Sequence, residues 1–130
     1  MHLKDLKDKS PKQLLSQAEE LGVEDASSMR VQDLVFAIMK KVAEDDHILY
    51  GDGVIEVMQD GFGFLRSSRS NYLASADDIY VSPQHVKKYG LRTGDTVEGE
   101  IRAPKENERY FALTKINTIN YQSYALILII

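Results

Sequence analysis

The sequence lacks cysteine and tryptophan, contains only three prolines, and has no apolar run near the length of a membrane span. Without cysteine, a disulfide framework and thiolate metal sites are excluded. The first ten residues, MHLKDLKDKS, are too charged for a signal peptide. The six apolar residues at the end fall far short of the ~20 that cross a bilayer. We therefore expect a cytoplasmic protein that does not contact membranes.

Positive charge is also scarce, since 20 acidic residues outnumber 16 Lys and Arg and give a net charge of -4. This balance argues against binding nucleic acid or a membrane surface by bulk electrostatics. His2, His47 and His85 lie far apart and lack metal-ligand spacing. The sequence shows no cluster of a nucleophile, a general base and an orienting group in an order that would suggest a catalytic site. We expect no metal, no cofactor and no enzymatic activity.

The first part of the chain, residues 1–48, is predicted to be a small helical domain. Ser10 as N-cap, Pro11 after it and Gln13 form a capping box, and Gly22 provides the stop for a first helix. A second helix is predicted from about residue 28 to 43. The predicted buried stripes are Leu14, Leu15, Ala18 and Leu21 in the first helix, and Val31, Leu34, Val35, Ile38, Met39 and Val42 in the second.

Short alternating runs separated by turn residues follow in residues 49–120. The five predicted strands are 53–59, 62–67, 78–82, 95–102 and 109–117. One helical turn, PQHVKKYG, is predicted between the third and the fourth strand. These features predict an α+β protein, in which the helical cap precedes a five-stranded antiparallel OB-fold barrel of the cold-shock-like type.

The stretch DGFGFLRS at residues 60–67 indicates which residues form each face of this barrel. Phe62, Phe64 and Arg66 alternate with Gly63 and Leu65, so they project from one face of a strand. Across the predicted strands, the face with Leu65 is uniformly apolar: Ile55, Val57, Leu65, Ile79, Val81, Val97, Ile101, Phe111 and Leu113. The other face mixes charges with aromatic rings: Glu56, Met58, Phe62, Phe64, Arg66, Asp78, Tyr80, Glu98, Glu100, Arg102, Tyr110 and Thr114.

Because a sheet buries its apolar face, the mixed face is predicted to be exposed to water. Exposed aromatic rings beside polar groups on a small barrel are a typical platform for single-stranded nucleic acid, since every base can stack on a ring. A stacking platform would allow binding despite the negative net charge. A barrel whose rings dock a partner protein chain is the alternative.

Four motifs, DGFGFLRS, DDIYVSP, LRTGDTVEGEIR and KENERYFAL, resemble the RNA-binding N-terminal region of the bacterial transcription termination factor Rho family. The helical part, LLSQAEELG and MRVQDLVFAIMKK, resembles the cap that precedes the barrel there. The resemblance implies a primary site for cytidine-rich single-stranded RNA. The matching positions are Phe62 and Phe64 for stacking, Arg66 and Asp78 for a cytosine edge, Tyr80, Glu108, Arg109 and Tyr110 for a second base, Lys105 for phosphate, and Met58 where leucine is usual.

Family members of full length continue into an ATP-dependent RNA helicase motor, but no G-x-x-x-x-G-K-[ST] phosphate loop occurs here. We therefore expect no ATP hydrolysis by that route, and a homo-hexamer only when such a motor is attached. Residues 121–130, YQSYALILII, are an atypical apolar tail. The sequence does not distinguish RNA from single-stranded DNA as the ligand, because no residue is an evident contact for the 2′-hydroxyl group of RNA.

Overall fold

The computed structural model describes residues 1–44 and 48–123. The chain divides into two compact units, with the boundary between Leu49 and Tyr50. Within the described residues, no helix has the length and apolar character required to cross a membrane.

The first unit is helical. Its elements are α1 (Leu3–Lys7), α2 (Pro11–Glu20), a 3-10 turn (Ala26–Ser28) and α3 (Val31–Glu44). The predicted capping box is confirmed: Ser10 Oγ accepts from the Gln13 amide, and Gln13 Oε1 accepts from the Ser10 amide at 2.9 Å. Gly22 follows the C-cap of α2 with φ +80°, a conformation that glycine adopts without strain.

Two details of the helical unit differ from the sequence prediction. Helix α1 was not predicted, because five residues are too few to show a helical period. Val31, predicted to be buried, is 46% exposed. Val31 is the first residue of α3. A side chain in a helix packs over the preceding helical turn, and Val31 has no such turn before it, so its side chain stays exposed. Leu15 and Leu21 are half-buried, and the other predicted stripe residues are in the core.

The second unit is a β-barrel with one helix. Among the described residues its elements are β1 (Leu49–Val57), β2 (Gly63–Arg66), a 3-10 turn (Ser68–Ser70), β3 (Ile79–Val81), α4 (Pro83–Tyr89), β4 (Thr96–Arg102), β5 (Phe111–Ile119) and β6 (Gln122–Ser123). The sheet order is β3-β2-β1-β4-β5-β6, and an additional pairing between β3 and β5 closes the barrel. The predicted helical turn is confirmed as α4.

The closing pair of strands corrects the prediction of a purely antiparallel barrel. Strands β3 and β5 run parallel, with Ile79 opposite Phe111 and Tyr80 opposite Ala112. Alternation within a strand specifies which face is buried but does not specify the direction of a neighbour, so the sequence could not reveal this pairing. Strand β6 lies in the segment predicted as a tail, and residues 124–130 of that segment lie outside the described residues.

The barrel interior contains the apolar face that was predicted from alternation. Eight of its nine predicted residues are buried and Val57 is half-buried. Gly99 lies at a register shift in the β4–β5 pair, where a Cβ atom would be 2.0 Å from the carbonyl oxygen of Lys115. Only glycine permits these two backbones to approach so closely.

Candidate nucleic-acid interface

Four aromatic rings form one cluster on the outer face of the barrel. We call Phe62, Phe64, Tyr80 and Tyr110 the aromatic cluster. Its ring centroids are 5.7 Å apart for Phe62 and Phe64, 5.8 Å for Phe62 and Tyr80, 6.0 Å for Phe64 and Tyr80, and 5.0 Å for Phe64 and Tyr110. All four side chains are half-buried. Each ring therefore packs on its neighbours and still presents surface to solvent.

Strand pairing explains why the rings meet. Phe64 on β2 is directly opposite Tyr80 on β3, and the β3–β5 pairing brings Tyr110, just before β5, to the same face. Gly63 lies between the two phenylalanines and points inward, where a Cβ atom would be 2.9 Å from the Ile55 side chain. The glycine lets β2 lie close to the core while both flanking rings face outward.

Beside the aromatic cluster, Arg66 and Asp78 form a buried ion pair. Arg66 Nη1 donates to Asp78 Oδ2, and the residues are 7% and 2% exposed. Both residues lie on the predicted outer face, but the prediction that this face is exposed to water was wrong at these two positions. Arg66 Nε also donates to Glu56 Oε1 at 3.1 Å, and its guanidinium carbon lies 5.1 Å from the Phe64 ring centroid. These contacts replace the water that would otherwise solvate the guanidinium charge of Arg66, and they therefore allow Arg66 to be buried.

Asp78 has a further partner in the loop that precedes β3. The Ser75 amide donates to Asp78 Oδ2 at 3.0 Å, and Ser75 Oγ donates to Oδ1 at the limiting distance of 3.5 Å. Met58 Sδ lies 3.9 Å from Arg66 Nη2, so this methionine borders the pair. A guanidinium and a carboxylate, each held by more than one partner, thus stand side by side next to the aromatic cluster.

The loop between β4 and β5 is held by a second, partly exposed ion pair. Arg102 Nη1 and Nη2 donate to Glu108 Oε1 and Oε2 at 2.6 and 3.0 Å. The Lys105 amide also donates to Glu108 Oε1, at 2.9 Å. The hydrogen bond from Arg102, followed by that from Lys105, lowers the pKa of Glu108 to about 2. The same Glu108 hydrogen bond raises the pKa of Arg102.

A shallow pocket lies where this loop meets the aromatic cluster. It is lined by Tyr80, Glu108, Arg109, Tyr110 and Ala112. The four residues predicted for a second base are all present, so the structure brings them together. Lys105 and Arg109 are both exposed.

Sequence reasoning did not assign Glu56, Ser75, Arg102 or Ala112 to the site. Glu56 and Arg102 alternate onto the outer face, so their positions were available in the sequence. Ala112 also alternates onto this face, and its small side chain leaves room for the pocket. No sequence pattern indicated a role for Ser75, because its contact with Asp78 depends on the conformation of a loop.

Comparison with known proteins places these features in a family. The family model described as "Rho termination factor, RNA-binding domain" matches residues 51–125, which include the aromatic cluster and both ion pairs. The chain belongs to the Rho termination factor family. The model described as "Rho termination factor, N-terminal domain" matches residues 5–46. The Rho-type RNA-binding domain predicted from the motifs is therefore confirmed.

Curated relatives agree with this assignment. The chain is 53% identical to transcription termination factor Rho of Salmonella typhimurium and of Buchnera aphidicola, and 52% identical to that of Escherichia coli K12. Each match extends over 121 residues and covers 93% of this chain. The chain spans 29% of the length of these Rho relatives.

Proposed function

We propose that this chain binds cytidine-rich single-stranded RNA on the aromatic cluster, as the primary RNA-binding part of a Rho-type transcription termination factor. One observation supports the proposal most strongly: a fixed Arg66–Asp78 pair borders the four-ring cluster on the same face of the barrel. Rings supply stacking that tolerates any base, and the ion pair supplies polar groups that can distinguish between bases.

The preference for cytosine follows from the chemistry of the pair. Asp78 accepts from the exocyclic amine of cytosine, while Arg66 donates to its ring nitrogen and carbonyl oxygen. Uracil presents a carbonyl oxygen where cytosine has the amine, so two acceptors would face each other at Asp78. Because Asp78 is buried, an unpaired acceptor contact there is costly.

The remaining predicted residues have supporting roles in this proposal. Phe62 and Phe64 stack on the first base, and Met58 supplies apolar contact beside Arg66. The pocket with Tyr80, Tyr110, Glu108 and Arg109 takes a second base. Lys105 is exposed, and its assigned role is to contact a phosphate of the bound strand.

A titration with labelled oligo-C, oligo-U and oligo-A RNA tests the proposal. We expect oligo-C to bind at least about tenfold more tightly than oligo-U, as one well-placed base contact contributes ~1 to 3 kcal/mol of discrimination. Asp78→Asn should reduce that preference while Asp77→Asn, its neighbour in sequence, should not. Equal affinity for all three oligonucleotides would contradict cytosine recognition and would favour an aromatic surface that docks a protein chain. Oligo-dC in parallel tests single-stranded DNA.

Within a longer Rho chain, we propose that residues 49–120 capture the transcript in the cytoplasm and that residues 1–48 serve as a structural cap. The hexamer and the ATP-driven steps belong to the motor of such a chain, since the present sequence contains no phosphate loop. Addition of ATP to the present chain, with or without RNA, should yield no phosphate release above a protein-free blank.

A further inference from the structure

The tip of the loop between β4 and β5 has little apolar anchoring. Its residues 105–109 are all exposed, and the turn is closed by one backbone hydrogen bond, from the Glu108 amide to the Lys105 carbonyl oxygen at 2.9 Å. A loop with so few buried groups opens locally at low free energy unless other contacts restrain it. The contacts that restrain this loop therefore decide how often its residues are in place.

The main restraint comes from Arg102, the last residue of β4. Its two terminal nitrogens hold both Glu108 oxygens, and the backbone of Arg102 is paired with Ala112 in the β4–β5 ladder. The guanidinium thus joins the tip of the loop to the barrel wall. A two-point Arg–carboxylate contact fixes the orientation of both planar groups, which a single-point contact does not.

The residues that follow Glu108 directly, Arg109 and Tyr110, form one wall of the pocket beside Tyr80. Tyr110 is also the ring that packs 5.0 Å from Phe64. The position of Glu108 therefore sets where the pocket wall begins.

We propose that Arg102 is a positioning residue for nucleic acid: by clamping Glu108 it fixes the loop that forms the second-base pocket, and it acts without contacting the first base. The inference rests on the proposed function. Glu108 contributes to binding through the same clamp, because both of its oxygens are held by Arg102 and one also accepts from the Lys105 amide.

NMR titrations with cytidine monophosphate and with the dinucleotide CpC distinguish binding at the first-base site from binding at the second-base pocket. Arg102→Met removes the clamp and keeps much of the side-chain stem. We expect CpC binding to weaken about three- to tenfold, which is ~0.7 to 1.4 kcal/mol, because the loop must then be ordered when the ligand binds. Binding of the mononucleotide should not change. Exchange of the Lys105 amide with solvent should accelerate, which reports the opened loop directly.

Three further variants sharpen the test. Arg92→Met removes one exposed positive charge elsewhere and should affect neither ligand. Arg102→Lys keeps the charge but cannot make the two-point contact, so its CpC affinity should lie between wild type and Arg102→Met. In the double variant Arg102→Met with Glu108→Gln, the losses should not add, as expected for two residues of one clamp.

The outcomes distinguish this inference from the proposed function. If wild type binds neither ligand, both are wrong. If wild type prefers CpC but Arg102→Met binds it as tightly as Arg92→Met does, only the role of Arg102 is wrong. Equal losses for the mononucleotide and CpC, or fully additive losses in the double variant, would also overturn it.

Discussion

Arg66 donates a hydrogen bond to Asp78 from the strand next to it, and the two side chains are 8% and 2% exposed. The pair is part of the proposed binding face and at the same time part of the folded structure of the barrel. A substitution of either residue should therefore change stability as well as RNA affinity. A substitution of a fully exposed residue that contacts a base would change affinity alone.

We predict that Asp78→Ala destabilises the barrel by ~3 to 5 kcal/mol, because it leaves the buried Arg66 charge without its main partner. Asp78→Asn keeps an acceptor for Arg66 and should cost less. Urea unfolding of both variants measures the difference. A wild-type midpoint for Asp78→Ala would mean that Arg66 reaches water easily, contrary to the structure.

Phe64→Ala should separate binding from folding. We expect oligo-C affinity to fall by ~1 to 3 kcal/mol through loss of stacking. The stability loss should be smaller, about 1 kcal/mol, because the ring is half-buried and contributes mainly through contacts with its aromatic neighbours.

The neighbouring Leu65 is the matched control, since it is 1% exposed and points into the barrel. Leu65→Ala should cost ~2 to 5 kcal/mol of stability, while the folded fraction still binds RNA. Thermal melts and anisotropy titrations on both variants provide the comparison. The reverse pattern, with Phe64→Ala unfolded and Leu65→Ala silent, is incompatible with the observed register.

The lowered pKa of Glu108 makes the Arg102 clamp persist in acid. Because the pKa in the folded state, about 2, lies below the ordinary value of 4.5, the clamp favours folding above pH 4.5. That contribution is lost as the pH falls from 4.5 through about 2. A ¹³C NMR titration of the Glu108 carboxyl should show its midpoint near 2, and Arg102→Met should move it toward 4.5. An unshifted midpoint in wild type would exclude the clamp in solution.

Salt should weaken RNA binding only slightly. Arg66 and Arg102 are held by carboxylates, whereas Lys105 and Arg109 are exposed beside the pocket. Two neutralised phosphates at ~0.7 each predict a log-log slope of about -1 to -2 for oligo-C affinity against salt. A slope near -5 would indicate binding over a much larger charged surface.

Gly99→Ala should destabilise the barrel strongly, because the new Cβ would overlap the Lys115 carbonyl oxygen. Gly90→Ala is the control: Gly90 has φ +61° with no atom near its Cβ position, so only the backbone cost of ~1 to 2 kcal/mol applies. Chemical unfolding of both variants should rank Gly99→Ala as clearly less stable. Equal midpoints would mean that the β4–β5 bulge relaxes at little cost.

Local patterns in the sequence predicted much of the fold and of the site. Period-two alternation assigned Leu65 inward and Phe64 outward, and the capping signals placed Ser10 correctly. In the barrel, what failed depended on contacts between segments that are distant in sequence. The burial of Asp78 requires Arg66 and the Ser75 loop together, and no alternation pattern contains that information. The parallel β3–β5 pairing is a property of the closed barrel, so short-range patterns could not predict it.

The same closing pair determines when the proposed binding face first exists during synthesis of the chain. Phe64 and Tyr80 lie on strands made early, but Tyr110 joins them only through the pairing of β3 with β5, whose first residue is Phe111. Such long-range pairings form late, since a large loop must be closed first. A growing chain on the ribosome should therefore complete the proposed binding face only after β5 has emerged, and we predict that shorter nascent chains do not retain oligo-C.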